Sequence, residues 1–260
     1  MSTPPVPPLA GRPGRPLLVA GQERAASLGS GDWKGIGELD TASLPAELKR
    51  RLTDDWARDA LFEHASVASF SRFSLHLMAV AAPPDLLHDA HRAAIDEVKH
   101  ARMCFALASA YAGEPLGPGA LPLEGDILGS LDLKSIVLAT VHEGCIGETL
   151  ASLEASTVLE LAEEPAVKEV LEHIAEDEGR HAELAWRFVK WALPRGGDEL
   201  RRAVRSAFDE AIASAPPSRS DDEESKLLAR HGRLTQLGRL RCRREGLIEV
   251  IGPASQALLG

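Results

Sequence analysis

The chain has 260 residues, of which 44% are apolar, 26% charged and only 4% aromatic, and its formal net charge is −10. That length supplies a sizeable core for one large domain or two small ones, and the acidic balance disfavours nucleic acid or an anionic membrane as the main partner. Abundant Ala and Leu, without alternating runs of Val, Ile and Thr, point away from sandwiches and barrels and toward an all-α chain. No uninterrupted run of about 18 apolar residues occurs, so no membrane-spanning segment is expected. The first residues lack a basic patch followed by an apolar run, which argues against a secretory signal. Cys104, Cys145 and Cys242 are too scattered for a CxxC knuckle or a disulfide framework. The expectation is a reduced, cytoplasmic protein.

Residues 1–50 contain Pro4, Pro5, Pro7, Pro8, Pro13, Pro16 and Pro45 and read as an N-terminal arm, extended or disordered, in which residues 16–20 can pack locally. From Asp54 to Ala81, Trp56, Ala60, Glu63, Val67 and Phe70 mark one face of a first helix. Pro83-Pro84 interrupts it, and Pro84 is placed to open a second helix reaching about Tyr111. The short connection makes these two antiparallel neighbours. A Gly/Pro-rich link of roughly 20 residues, 113–131, leads to a third helix over 132–161. A fourth follows over 165–193, ended by Pro194 and Gly196-Gly197. A helix of about 25 residues is roughly 37 Å long, a distance that about 20 extended residues cover. Helices two and three are therefore expected to be parallel, joined by a crossover. The division is an arm over 1–50, a helical unit over 51–195 and a C-terminal extension over 196–260 with two further helices. Lys226, Arg230, Arg233, Arg239, Arg241, Arg243 and Arg244 follow one another there without an acid, which reads as a solvated or docking helix face.

Two segments repeat one pattern, DExxH: Asp96-Glu97-Val98-Lys99-His100 and Asp177-Glu178-Gly179-Arg180-His181. Glu and His three apart share a helix face. Both pairs interrupt apolar stripes, Ala90, Ala93, Cys104 and Leu107 on helix two and Val167, Leu171, Ile174, Ala185 and Phe188 on helix four. Glu63 interrupts the stripe of helix one, and Glu148 that of helix three, Val137, Val141 and Cys145. Carboxylates and imidazoles inside a core stripe are costly unless charged partners compensate them, and no Lys or Arg falls in these stripes. Glu63 precedes Glu97 by 34 residues and Glu148 precedes Glu178 by 30. Each helix pair thus forms a half-site of one Glu plus one ExxH.

This arrangement resembles the ferritin-like di-iron carboxylate proteins, whose four-helix bundle takes one Glu from each of two helices and Glu-x-x-His from each of the other two. The likeness covers about 140 residues, roughly 54–193. It implies a ferritin-like four-helix bundle with a long crossover between helices two and three and extra C-terminal helices. It also implies two iron ions, with manganese or a mixed pair as alternatives, held by Glu63, Glu97, His100, Glu148, Glu178 and His181. Four glutamates balance two divalent ions, and hard oxygen donors with two imidazoles suit iron or manganese. Asp96 and Asp177 are expected to accept a hydrogen bond from a ligand histidine. Glu143 lies five residues before Glu148, about 140° around an α-helix. Glu148, with the better stripe, is taken as the ligand, and Glu143 as a supporting group or a seventh, labile ligand. His64 and His142, one residue from ligand positions, are read as surface or capping histidines.

The resemblance implies an oxidase or oxygenase that uses O2, a small-molecule substrate and an electron donor, with a ferroxidase taking Fe(II) as the alternative. Self-association as a homodimer is compatible with it. A rubrerythrin-type domain would need two CxxC pairs, which are absent. A tyrosine-radical role would need a tyrosine near the metals, and Tyr111, the single one, lies about 16 Å beyond His100. Extra helices and the arm argue against a simple storage shell. A reading of another class, a helical interaction module using the basic segment, needs no metal.

Overall fold

The computed structural model describes residues 14–33, 39–217 and 223–260, without the side chains of 223–225. Residues 1–13, which hold most of the arm's prolines, and part of the loop after Pro217 lie outside the described residues. The described chain is predominantly helical, and its strands are two residues long. The all-α reading holds.

Helix α1 spans Ala46–Ala79 and α2 Pro84–Ala112. Proline at the first position of α2 removes an N–H that has no helical partner anyway, and Gly113 ends the helix in the left-handed conformation at φ 77°. The third rod, Leu133–Leu161, opens with the Asp132 carboxylate accepting the Ser135 N–H at 3.0 Å. It comprises α3 (Leu133–Thr140), a π-helical segment (Val141–Glu148) and α4 (Thr149–Leu161). By length and composition alone it is apolar enough to cross a membrane, because averaging dilutes the glutamates that interrupt it. In the fold it packs along α5, Pro165–Ala213.

Two buried clusters define how the rods run. One joins Phe70, Phe73 and Leu77 of α1 to Leu86, Ala90 and Ala93 of α2, Ile136 and Val137 of α3, and Phe188, Ala192 and Leu193 of α5. The other joins Leu52, Trp56 and Ala60 of α1 to Cys104, Leu107 and Tyr111 of α2, Val158 of α4, and Val167 and Leu171 of α5. The end of α1 thus meets the start of α2, and the start of the third rod meets the later part of α5, so each pair is antiparallel. Because α2 and the third rod start at the same end, the link between them must run the length of the helices. The spacing argument anticipated that crossover.

The structure departs from the sequence reading in four places. The fourth helix does not stop at Pro194, whose ring already holds a helical φ. The break comes at Gly197 (φ 61°, ψ −158°), and the chain then continues helically to Ala213. Beyond it lie α6 (Glu223–Arg230), α7 (Gln236–Glu245), a second π segment (Gly246–Ile251) and α8 (Gly252–Leu259), more than the two helices expected. Their apolar residues enter the same clusters, Leu247 and Ile251 in the first and Leu228 and Cys242 in the second. Val67, read as part of the α1 core face, is only half-buried. Residues 14–33 are neither free nor helical. Leu17 and Val19 are buried against Ala65, and Leu28–Gly29 pairs antiparallel with Gly117–Pro118 of the crossover. The arm therefore lies on α1 and on the link.

Phe188 is fully buried on α5 and meets Phe73 of α1 edge to face at 5.4 Å. Phe188→Ala is expected to cost about 3–5 kcal/mol, measured as a lowered urea midpoint with unchanged helical circular dichroism before unfolding.

Candidate metal centre

Between the two apolar clusters the four rods bring together all six residues of the paired half-sites. Glu63 comes from α1, Glu97 and His100 from α2, Glu148 from the last position of the π segment, and Glu178 and His181 from α5. All are buried except Glu63, which is half-buried. Two groups of donors form: Glu63, Glu97, His100 and Glu178, and Glu97, Glu148, Glu178 and His181. Within each group the donor atoms lie within 4.8 Å of one another. Glu97 and Glu178 belong to both.

The imidazoles are oriented for this purpose. His100 Nδ1 faces Glu97 and Glu178 at 3.7 and 3.6 Å, and His181 Nδ1 faces the same pair at 3.2 and 3.6 Å. Their Nε2 atoms point outward, to the aspartates anticipated as their supports. The support is crosswise. His100 on α2 bonds Asp177 on α5 at 3.0 Å, whereas His181 on α5 faces Asp96 on α2 at 3.7 Å, a charge contact rather than a hydrogen bond. An Nε2 proton held by a carboxylate leaves the Nδ1 lone pair for a metal. Arg180 pairs with Asp177, and Lys99 binds Asp96 at 2.7 Å, so neither aspartate adds net charge.

The buried donors fit a metal on their own evidence. Both carboxylate oxygens of Glu148, one each of Glu97 and Glu178, and the Nδ1 atoms of both histidines are buried without a hydrogen-bond partner. Such orphans are rare unless an ion or water completes them. The site could hold a metal ion. Burial first, then Glu97 and Glu178, holds Glu63 well above the usual carboxylate range. Burial and Glu178 do the same to Glu148. Burial works against the imidazolium of His100, yet Glu178 and Glu97 raise it well above 6.5, and Asp96, Glu178 and Glu97 do so for His181. Against their own burial, Glu97 and Glu178 are lowered by the two imidazoles. Without metal, burial thus favours the neutral carboxyl of Glu63 and of Glu148, opposed at Glu148 by Arg15, while the imidazoles and the carboxylates of Glu97 and Glu178 favour each other's charged forms.

Glu143 stands apart from both groups, as the stripe argument required, but for a different reason. A π segment bonds i to i+5, so residues five apart lie nearly in line and the 140° separation of an α-helix does not apply. Both carboxylates look the same way. Glu143 is held off by Arg72, whose guanidinium reaches its two oxygens at 3.0 Å each. His64 and His142 are half-buried and join neither group.

Sequence reasoning missed Arg15. The arm carries it into the core, 2% exposed, between the rings of Phe70 and Phe73 at 4.7 and 4.5 Å. Its Nε lies 3.4 Å from Glu148 and one terminal nitrogen 3.7 Å from Glu143. The stripes contain no cation, as noted, because this one arrives from a distant segment. Glycines make room for it. A Cβ on Gly144 would fall 2.7 Å from the Arg15 guanidinium, and one on Gly147 only 2.3 Å from the Gly14 carbonyl. The Gly14 N–H bonds the Gly147 carbonyl at 2.8 Å. The run Glu143-Gly144-Cys145-Ile146-Gly147-Glu148 held this one legible signal, since two glycines inside a helix mark a close approach.

Comparison with protein-family models, curated proteins and solved structures returns no significant match. The site is therefore read from its own geometry.

Two outcomes follow. If the centre holds two ions, Glu148→Ala should reduce metal stoichiometry toward one or less, while Glu143→Ala should keep both and lower affinity or reactivity by about 10- to 100-fold, read by elemental analysis and titration. Because folding without metal raises the proton affinity of Glu63, Glu148, His100 and His181, the chain loses stability as pH rises through their folded values. The metal-free melting temperature should fall as pH rises above about 6.5, the ordinary imidazole value, and Mn(II) binding should release protons and tighten over the same window. A metal-free melting temperature that rises over that window would contradict the assignment.

Proposed function

We propose that the chain is a ferritin-like di-metal carboxylate protein that holds two iron ions, or manganese, and uses O2 as an oxidase or oxygenase on a small organic substrate. The observation that carries this reading is the pair of donor groups sharing Glu97 and Glu178, with partner-free Nδ1 atoms turned inward and Nε2 atoms turned to aspartates. Glu63 and His100 would hold one ion, Glu148 and His181 the other, and Glu97 and Glu178 would face both. Bound iron or manganese would supply one-electron redox steps and open coordination positions for O2. The chain's own part is to fix the donors, exclude bulk water and admit the substrate.

A cavity of about 80 Å³ touches the centre from the Glu63 side. Its walls include Trp56, Phe62, Leu171 and Ile174, and Arg15, Arg233 and Arg239 reach into it. Arg233 is buried against the Trp56 ring and paired with Asp59. The basic segment read as a docking face thus roofs this cavity. Asp59 and Glu154 line it beside these guanidinium groups, so its apolar walls suit a compact organic molecule while its charge does not exclude Fe(II). The apolar part of the lining supports the oxidase or oxygenase reading, with the ferroxidase as the alternative.

Anaerobic loading with Fe(II) or Mn(II) followed by elemental analysis is expected to give about two ions per chain, and none in the Glu97→Ala/Glu178→Ala double variant. Full occupancy in the double variant would sink the ligand assignment. With Fe(II) as sole reductant, a ferroxidase consumes O2 in repeated turnovers as more Fe(II) is added. The oxygenase reading predicts that uptake stops after the bound pair is oxidised. Ala155→Leu, which narrows the cavity from its wall, should leave stoichiometry unchanged and lower substrate-dependent O2 uptake.

A further inference from the structure

We propose that Arg15 makes the two metal positions unequal, so that the position of Glu63 and His100 fills first and that of Glu148 and His181 fills second and more weakly. The inference rests on the two-metal reading above and adds an order of loading to it.

The argument is one of fixed charge. Around the centre the accessory ion pairs cancel: Lys99 and Arg180 against Asp96 and Asp177, and Arg72 against Glu143. Arg15 is left over. It has no hydrogen bond on Nε, which lies 3.4 Å from a Glu148 oxygen that is itself unpartnered. It therefore serves as a built-in counter-cation for that carboxylate. An ion placed between Glu148 and His181 would meet this guanidinium at close range in a site that screens charge poorly, and the repulsion weakens binding. On the Glu63 side the buried guanidinium of Arg233 is already paired with Asp59.

Arg15 cannot swing away to relieve the conflict. Its backbone carbonyl accepts the Ser66 hydroxyl at 2.9 Å, the Pro16 carbonyl accepts that of Ser69 at 3.2 Å, and the Leu18 carbonyl accepts an Arg72 N–H at 2.7 Å. Leu17 is fully buried behind it, and Phe70 and Phe73 hold the guanidinium. In the half-loaded protein Arg15 thus stands where the second ion's charge would, and the one-metal state is a stable species rather than a transient.

Anaerobic Mn(II) titration with calorimetry and electron paramagnetic resonance tests this on the full chain. Wild type should show two steps separated by about tenfold or more in Kd, with an uncoupled Mn(II) signal at one equivalent and a coupled-pair signal only beyond it. Glu148→Gln should keep the first, tight ion, and Glu63→Gln should lose it. Arg15→Gln should narrow the gap and bring the coupled pair in from the first additions. Arg15→Lys, which retains the charge, should preserve the wild-type order, so a role limited to packing would be exposed by both variants behaving alike. Gly147→Ala, whose Cβ would displace the Gly14 carbonyl and with it the arm, should reproduce Arg15→Gln. Two indistinguishable sites in wild type, or an unchanged gap in Arg15→Gln and Gly147→Ala, overturns the inference while leaving the two-metal reading intact. A wild-type chain that binds no ion overturns both.

Discussion

Four carboxylates gathered within a few ångströms of one another, three buried and Glu63 half-buried, set the terms for the rest of this fold. Isolated, each would cost several kcal/mol to bury in ionised form, and a core of alanines and leucines has nothing of its own to offer them. The chain answers at three levels. Two imidazoles sit among the carboxylates and exchange charge with them. Aspartates outside the imidazoles keep the rings turned inward, and are themselves neutralised by Lys99 and Arg180. A guanidinium drawn from the arm covers the carboxylate farthest from that support. Apolar clusters above and below then close the helices around the polar layer.

The π segment is the second organising feature. An α-helix through Val141–Glu148 would carry Glu143 and Glu148 to different faces, whereas the wider turn presents both toward the arm and opens the backbone beside Gly144 and Gly147. One glutamate then joins the donor groups, and the other is occupied by Arg72. The rod's local geometry, the glycines that permit contact and the arm that makes it belong to one device, although they come from opposite ends of the alignment between sequence and space.

Much of this was legible beforehand, and for identifiable reasons. The helix faces, the crossover and the six-residue constellation follow from periodicity, proline placement and the repeated DExxH, all local or repeated signals. Asp96 and Asp177 could be assigned to support histidines, but not to opposite histidines, since pairing across helices depends on rotation and register that no single helix encodes. Arg15 was invisible because a proline-rich stretch has no period to place it. The continuation past Pro194 was missed because proline was read as a stop, when the left-handed Gly197 is what turns the chain.

The crosswise bracing of the histidines has a mechanical meaning. Each imidazole is borne by one of the two DExxH helices and steadied from the other, so α2 and α5 are interlocked at the polar layer like two combs. An axial slip of one turn, about 5.4 Å, would unmesh both contacts together and could not spoil one half alone. Axial alignment of the two helices and integrity of the centre are therefore a single coordinate, and whatever binds between the two histidines also gauges the position of the helices that carry them.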